Sequence, residues 1–139
     1  MAERLHGIAL HLMRGLRRQD DALGVGPARL SALSVLLSGP KSISELARAE
    51  QVRTPTMTRI VTGLERMGLA RRRPHPTDGR SVRVELTEPG AEIIARGRAL
   101  RVRRLAASLR AVDDEELQRI RDALQVLDRV TLDVLRGPH

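Results

Sequence analysis

The sequence predicts a mainly α fold with one small antiparallel β-ribbon, an α+β arrangement in a single domain of 139 residues. Three observations carry that prediction. Apolar residues recur at spacings of three and four along most of the chain, the helical period. Strict alternation occurs only around Val82, Val84 and Leu86, which take turns with Arg83 and Glu85 as in a half-buried strand. Phe, Tyr and Trp are absent, so the core must be built from Leu, Ile, Val, Met and Ala, which suits helix packing.

Taken in order, Glu3 to about Arg18 sets Leu5, Ile8, Leu12 and Leu16 on one helical face, with Ala9 and Met13 beside them. Gln19-Asp20-Asp21 and Gly24-Val25-Gly26-Pro27 break that helix. A second helix fits Pro27 to about Leu37, with Leu30, Leu33, Leu36 and Leu37 inward, and Ser38-Gly39-Pro40 stops it. Ser42 and Glu45 form a capping box for a third helix that buries Ile43, Leu46 and Ala47. After a turn through Glu50-Gln51-Val52, Thr54 is the expected N-cap of a fourth helix and Pro55 its first residue. That helix runs to about Met67 on Met57, Ile60, Val61 and Leu64, and Gly68 ends it. Leu69 to Arg73 and Ser81 to Leu86 pair as strands, while the loop from Pro74 to Arg80 is too rich in turn formers to be strand interior.

Thr87 caps a fifth helix, with Pro89 in its first turn and Ile93, Ile94, Leu100, Leu105 and Leu109 along it. Asp113 and Glu116 cap a sixth. There Leu117, Ile120, Leu124, Leu127, Thr131 and Val134 make an a/d seam, which Val126 and Val130 widen. The order is a helix-turn-helix followed by a wing, at residues 27–90, flanked by helical regions at 1–26 and 87–139.

Charge says what such a lobe would meet. The formal net charge is +8, with 24 arginines and one lysine, so a polyanion is the favoured partner. Residues 1–112 hold 21 basic and 10 acidic side chains, a net +11, whereas residues 113–139 hold 4 and 7, a net −3. The last helix is therefore a poor nucleic-acid surface. Its seam, with Leu5, Ile8 and Leu12 on the first helix, exceeds what a small lobe can cover, and a two-fold partner would bury it. The dimer contacts expected are Leu5, Ile8, Leu12, Leu117, Ile120, Leu124, Leu127 and Val134. Packing of these helices within one chain is the alternative. The absence of cysteine excludes disulfides, thiolate metal sites and thiol switches. No apolar run is long enough for a membrane span and no signal-peptide core is present, so a cytoplasmic location is expected. No His, Ser or Asp order suggests catalysis, and no metal or cofactor is expected.

The candidate interface is duplex DNA. Thr54, Pro55, Thr56, Thr58 and Arg59 open the fourth helix, where hydroxyls allow close approach and the helix N-terminus favours anions. Arg59 can reach guanine bidentately, and Thr62 and Arg66 lie farther along the same face, nearer phosphate. Lys41 and Ser42 precede the third helix as further contacts. Arg80 at the wing tip suits a minor groove, with Asp78 orienting it or the loop amides and Ser81 adjoining. Arg71, Arg72, Arg73 and Arg83 are expected at the DNA backbone, although a strand alternates faces and not all can reach it. Any one of these groups could equally be a solvated surface charge; the set in this order is harder to dismiss.

The stretch from Leu46 to Gly90 resembles the winged helix-turn-helix of the MarR family of bacterial transcriptional regulators. The resemblance rests on Pro55-Thr56-x-Thr58-Arg59, Leu64-Glu65-x-x-Gly68-Leu69, Asp78-Gly79-Arg80-Ser81 and Leu86-Thr87-x-x-Gly90. It implies a homodimer whose first and last helices form the dimerisation lobe. It also implies a repressor or activator that reads a pseudo-palindromic operator and loses DNA affinity when a small, often aromatic-acid effector binds. By the same resemblance the fourth helix reads the major groove and Arg80 the minor. Without aromatic residues an effector pocket here would need aliphatic walls and Arg or His partners, with His11 and Arg14 as positional candidates. Two other readings compete: an architectural, non-specific DNA-binding protein, and a winged helix used for protein docking.

Overall fold

A computed structural model describes residues 1–137. Its elements are α1 (Ala2–Arg17), a 3-10 segment (Arg18–Leu23), α2 (Pro27–Leu36), α3 (Ile43–Ala49), α4 (Thr54–Arg66), β1 (Ala70–Pro74), β2 (Val82–Leu86), α5 (Glu88–Leu109) and α6 (Asp114–Arg136). The chain divides into two compact units, Met1–Val102 and the segment from Arg103 onward. The predicted mainly helical fold with a two-stranded antiparallel ribbon is what the structure has.

In the first unit, α2, α3, α4 and the ribbon close around one aliphatic core. Leu33, Leu46, Met57, Val61, Leu64 and Val84 are fully buried there. Val25 joins them from the glycine-rich break between helices, as do Ala32 and Ala70, none of which the helical stripes single out. Two inward assignments are corrected. Leu37 is 57% exposed, because α2 ends at Leu36 and Leu37 turns out with the cap. Val82 is 45% exposed, because it pairs with Pro74 at the open end of the ribbon, beyond the core.

Local chemistry explains the element ends. Ser42 and Glu45 make the reciprocal box: the Ser42 amide donates to Glu45 Oε2 at 2.6 Å, and the Glu45 amide to Ser42 Oγ at 3.1 Å. The N-cap of α4 is Arg53 rather than Thr54, and Pro55 sits one place deeper in the first turn. Arg53 has extended backbone angles and its carbonyl accepts from the Met57 amide at 3.1 Å, so Thr54 is already helical. Gly68 (φ 71°) closes α4 as expected, its amide donating to Glu65 O and that of Leu69 to Leu64 O, both at 2.9 Å. At the end of α3 the same left-handed position is taken by Gln51 (φ 54°), a conformation that costs a non-glycine residue.

β1 (Ala70–Pro74) runs one residue later than predicted, and β2 (Val82–Leu86) starts one residue later but ends at the predicted Leu86, in the register Ala70↔Leu86 to Pro74↔Val82. Lys41 adds an isolated bridge to Val84, donating and accepting at 3.0 and 2.8 Å, which ties the entry to α3 onto the ribbon. Thr87 joins the ribbon to α5: its hydroxyl donates to Gly68 O at 2.7 Å and accepts from the Gly90 amide at 3.2 Å. Gly90 is obligatory there, since a Cβ would lie 2.0 Å from the Leu69 carbonyl oxygen. Farther along α5, Gly97 is buried against Leu23 of the 3-10 segment, and Arg101 pairs with Asp20.

The second unit holds the end of α5 and α6. Asp113 caps α6, accepting from the Glu116 amide at 2.8 Å. None of the residues of α6 is buried. No helix among the described residues is long and apolar enough to cross a membrane.

Candidate nucleic-acid interface

The core fixes which side of α4 can meet a ligand. Met57, Val61 and Leu64 point inward, which leaves Thr54, Pro55, Thr58, Arg59 and Arg66 exposed and Thr56 and Thr62 half-buried. The Thr58 hydroxyl donates to the Thr54 carbonyl at 3.0 Å, so its remaining lone pairs, and its methyl group, face outward.

The arginines expected at the interface fall into two sets. Arg59, Arg66 and Arg80 are exposed and form no ion pair among the described residues. Arg71, Arg72, Arg73 and Arg83, expected at the DNA backbone, are each held by a carboxylate. Arg72 pairs with Glu65, which also accepts the Arg72 amide at 3.1 Å, and it reaches Thr62 Oγ1 at 3.4 Å. Arg73 pairs with Glu85 at 2.7 Å, and Glu85 also holds Arg71. Arg83 pairs with Glu45 at 2.7 Å. Such solvent-facing pairs are worth about 0–1 kcal/mol, so they aim side chains more than they stabilise the fold. Lys41 and Ser42 are likewise engaged, one through its backbone bridge and the other through the capping box. Glu45 is the hub of this edge. Its carboxyl is held below the ordinary glutamate range, first by the Ser42 amide, then by the Ser42 hydroxyl, and further by the charges of Arg83 and Lys41.

In the wing, Asp78 does what its position suggests: Oδ1 accepts the Arg80 amide at 3.1 Å, while its carbonyl accepts the Ser81 amide and hydroxyl at 3.1 and 3.2 Å. Sequence reasoning missed His75. Its Nδ1 accepts from the Thr77 and Asp78 amides, both at 3.3 Å, so the ring folds the loop that presents Arg80. Acceptance there needs the tautomer with its proton on Nε2. The carboxylate partners were also unassigned, although Glu85 opposite Arg71 in a strand pair was a readable signal.

The two effector candidates, His11 and Arg14, lie three residues apart on α1. Arg14 lines an open hollow on α1 with His6, Leu10 and Arg17. His11 lies outside it, with Nδ1 3.3 Å from the Gly7 carbonyl. A separate hollow of about 420 Å³ opens between α1, the 3-10 segment, α2 and α5, with Arg17, Asp20, Ser34 and Arg101 on its wall.

A helix with an exposed Thr/Arg face, followed by an arginine-tipped ribbon, is the layout of a winged helix-turn-helix. The MarR family model matches residues 33–82. An HTH-type transcriptional regulator of Mycobacterium bovis is 36% identical over 128 residues, 91% of this chain and 90% of that one. The HTH-type transcriptional repressor IacR of Pseudomonas putida is 30% identical over 89% of this chain and 73% of its own. The crystal structure of the transcriptional regulator Tm0710 of Thermotoga maritima superposes with a TM-score of 0.87 at 25% identity, covering 99% of this chain and 97% of that one. The chain belongs to the MarR family of HTH-type transcriptional regulators.

Proposed function

We propose that the chain is a cytoplasmic, homodimeric repressor that binds a pseudo-palindromic operator and is released by a small-molecule effector. The observation that carries the DNA-binding part is the segregation of its arginines. Arg59, Arg66 and Arg80 are exposed and unpaired among the described residues, on the outer face of α4 and at the wing tip, while neighbouring arginines are neutralised by Glu45, Glu65 and Glu85. In this reading α4 enters the major groove through Thr54, Pro55, Thr56, Thr58 and Arg59, and Arg80 enters the minor groove. Apolar side chains left exposed on α1 (Leu5, Ile8, Leu12) and on α6 (Ile120, Leu124, Val134) support association with a second copy. Two recognition helices then address half-sites about one DNA turn apart. The repressor sign is supported by likeness to the Pseudomonas putida repressor. For the effector, the hollow between α1, the 3-10 segment, α2 and α5 offers Arg17 as a cationic partner for a carboxylate, Arg101 on the same wall being paired with Asp20.

Selection of binding sites from random duplex DNA tests the proposal. The expected product is an inverted repeat bound about 10³-fold or more tightly than scrambled duplex at physiological salt. Equal affinity for both would favour the architectural reading. Arg80→Ala is expected to weaken binding and make its salt dependence shallower; unimpaired binding by that variant would favour a protein-docking wing.

A further inference from the structure

Gly63 lies in the interior of α4, where glycine is a poorer helix former than alanine. Its backbone is ordinary helix, so no turn requires it. Space does. A Cβ at this position would stand 2.6 Å from Nε and 2.9 Å from Nη2 of Arg29. Arg29 comes from the first turn of α2, and its Nη1 donates to the Val25 carbonyl at 3.4 Å. Its guanidinium thus rests on the α4 backbone, one helical turn beyond Arg59.

Arg29 and Arg59 line one groove of about 380 Å³, with Thr56 on the same wall and no carboxylate in the lining. Neither forms an ion pair among the described residues. Two cations around one hollow, without a counter-charge, make a place for an anion, and a guanidinium fork matches phosphate bidentately. We infer that Arg29, seated on Gly63, binds a DNA backbone phosphate beside the groove that α4 enters. Gly63 is then a positioning residue, kept small so that Arg29 can lie there. This rests on the DNA-reading role proposed for α4.

Salt titrations of the wild type, Arg29→Ala, Gly63→Ala and the double variant test it, against the selected duplex and a scrambled one of equal length. Arg29→Ala should weaken both duplexes by the same factor and make the slope of log affinity against log salt shallower by about one. Gly63→Ala should leave the thermal midpoint unchanged or raised, since only the tip of a flexible side chain must move. Its affinity should nevertheless fall as far as that of Arg29→Ala, with the double variant no weaker than either single one. Wild-type affinity and slope in Arg29→Ala, or wild-type affinity in Gly63→Ala, would overturn the inference alone. A loss confined to the selected duplex would show base reading and overturn the phosphate assignment. A wild-type chain that binds no duplex would overturn this inference and the proposed function together.

Discussion

α4 and α6 are both two-sided helices, one face apolar and the other charged, yet they end in opposite situations. α4 buries Met57, Val61 and Leu64 completely. α6 buries nothing along 23 residues, and Leu124 is 51% and Val134 73% exposed. The comparison teaches that amphipathic pattern specifies a side and not an occupant. For α4 the occupant is its own lobe, and the helix gains a rigid seat from which its polar face can be aimed. For α6 the chain leaves open a face whose full burial would be worth about 1.5–3 kcal/mol per large side chain.

Four experiments would break or sharpen that contrast, the largest effect first. Leu64→Ala should destabilise the fold by about 2–5 kcal/mol, read by denaturant unfolding, because a fully buried leucine leaves a cavity. Leu124→Glu should leave the reading lobe folded while shifting a sedimenting dimer to monomer, as burial of about 1.5–3 kcal/mol per side chain is lost and a charge introduced; an unchanged sedimentation profile would remove α6 from the interface. Ser42→Ala should cost about 1 kcal/mol of global stability. Glu45 sets the pH signature of that variant: a carboxyl with a lowered folded value stabilises fully above the ordinary glutamate range and loses this as pH falls through the lowered value. The gap between wild type and variant should therefore narrow in acid. Smallest, Gln51→Gly should raise stability by about 0.5 kcal/mol, the relief of a left-handed non-glycine residue less the entropy cost of a new glycine, detectable as a higher melting temperature.

What was legible in the sequence was local. The Ser42–Glu45 box, the Gly68 stop, the Thr87 cap and the alternation through Val84 each depend on residues within a few positions of one another. The misplaced features depend on neighbours distant in sequence or on a one-residue shift. Thr54 and Pro55 fit a cap, but Arg53 takes it, because a cap is set by where the backbone turns helical and either residue can begin that turn. Leu37 and Val82 continue their stripes beyond the end of the element that would bury them. The pairing of Arg83 with Glu45, 38 residues earlier, has no local signature. The role of His75 required knowing which way its ring nitrogen pointed. In the candidate interface the residue types were readable, whereas the division into free and tethered arginines came only with the fold.

The junction at Gly90 carries a mechanical meaning. Two hydrogen bonds, from Thr87 Oγ1 to Gly68 O and from the Thr87 amide to Leu69 O, join the start of α5 to the exit of α4, and the Gly90 amide closes the cap by donating to Thr87 Oγ1. The missing Cβ lets the two backbones touch. The start of α5 and the exit of α4 are thus fixed to each other at the level of the backbone, so neither end can shift without carrying the other.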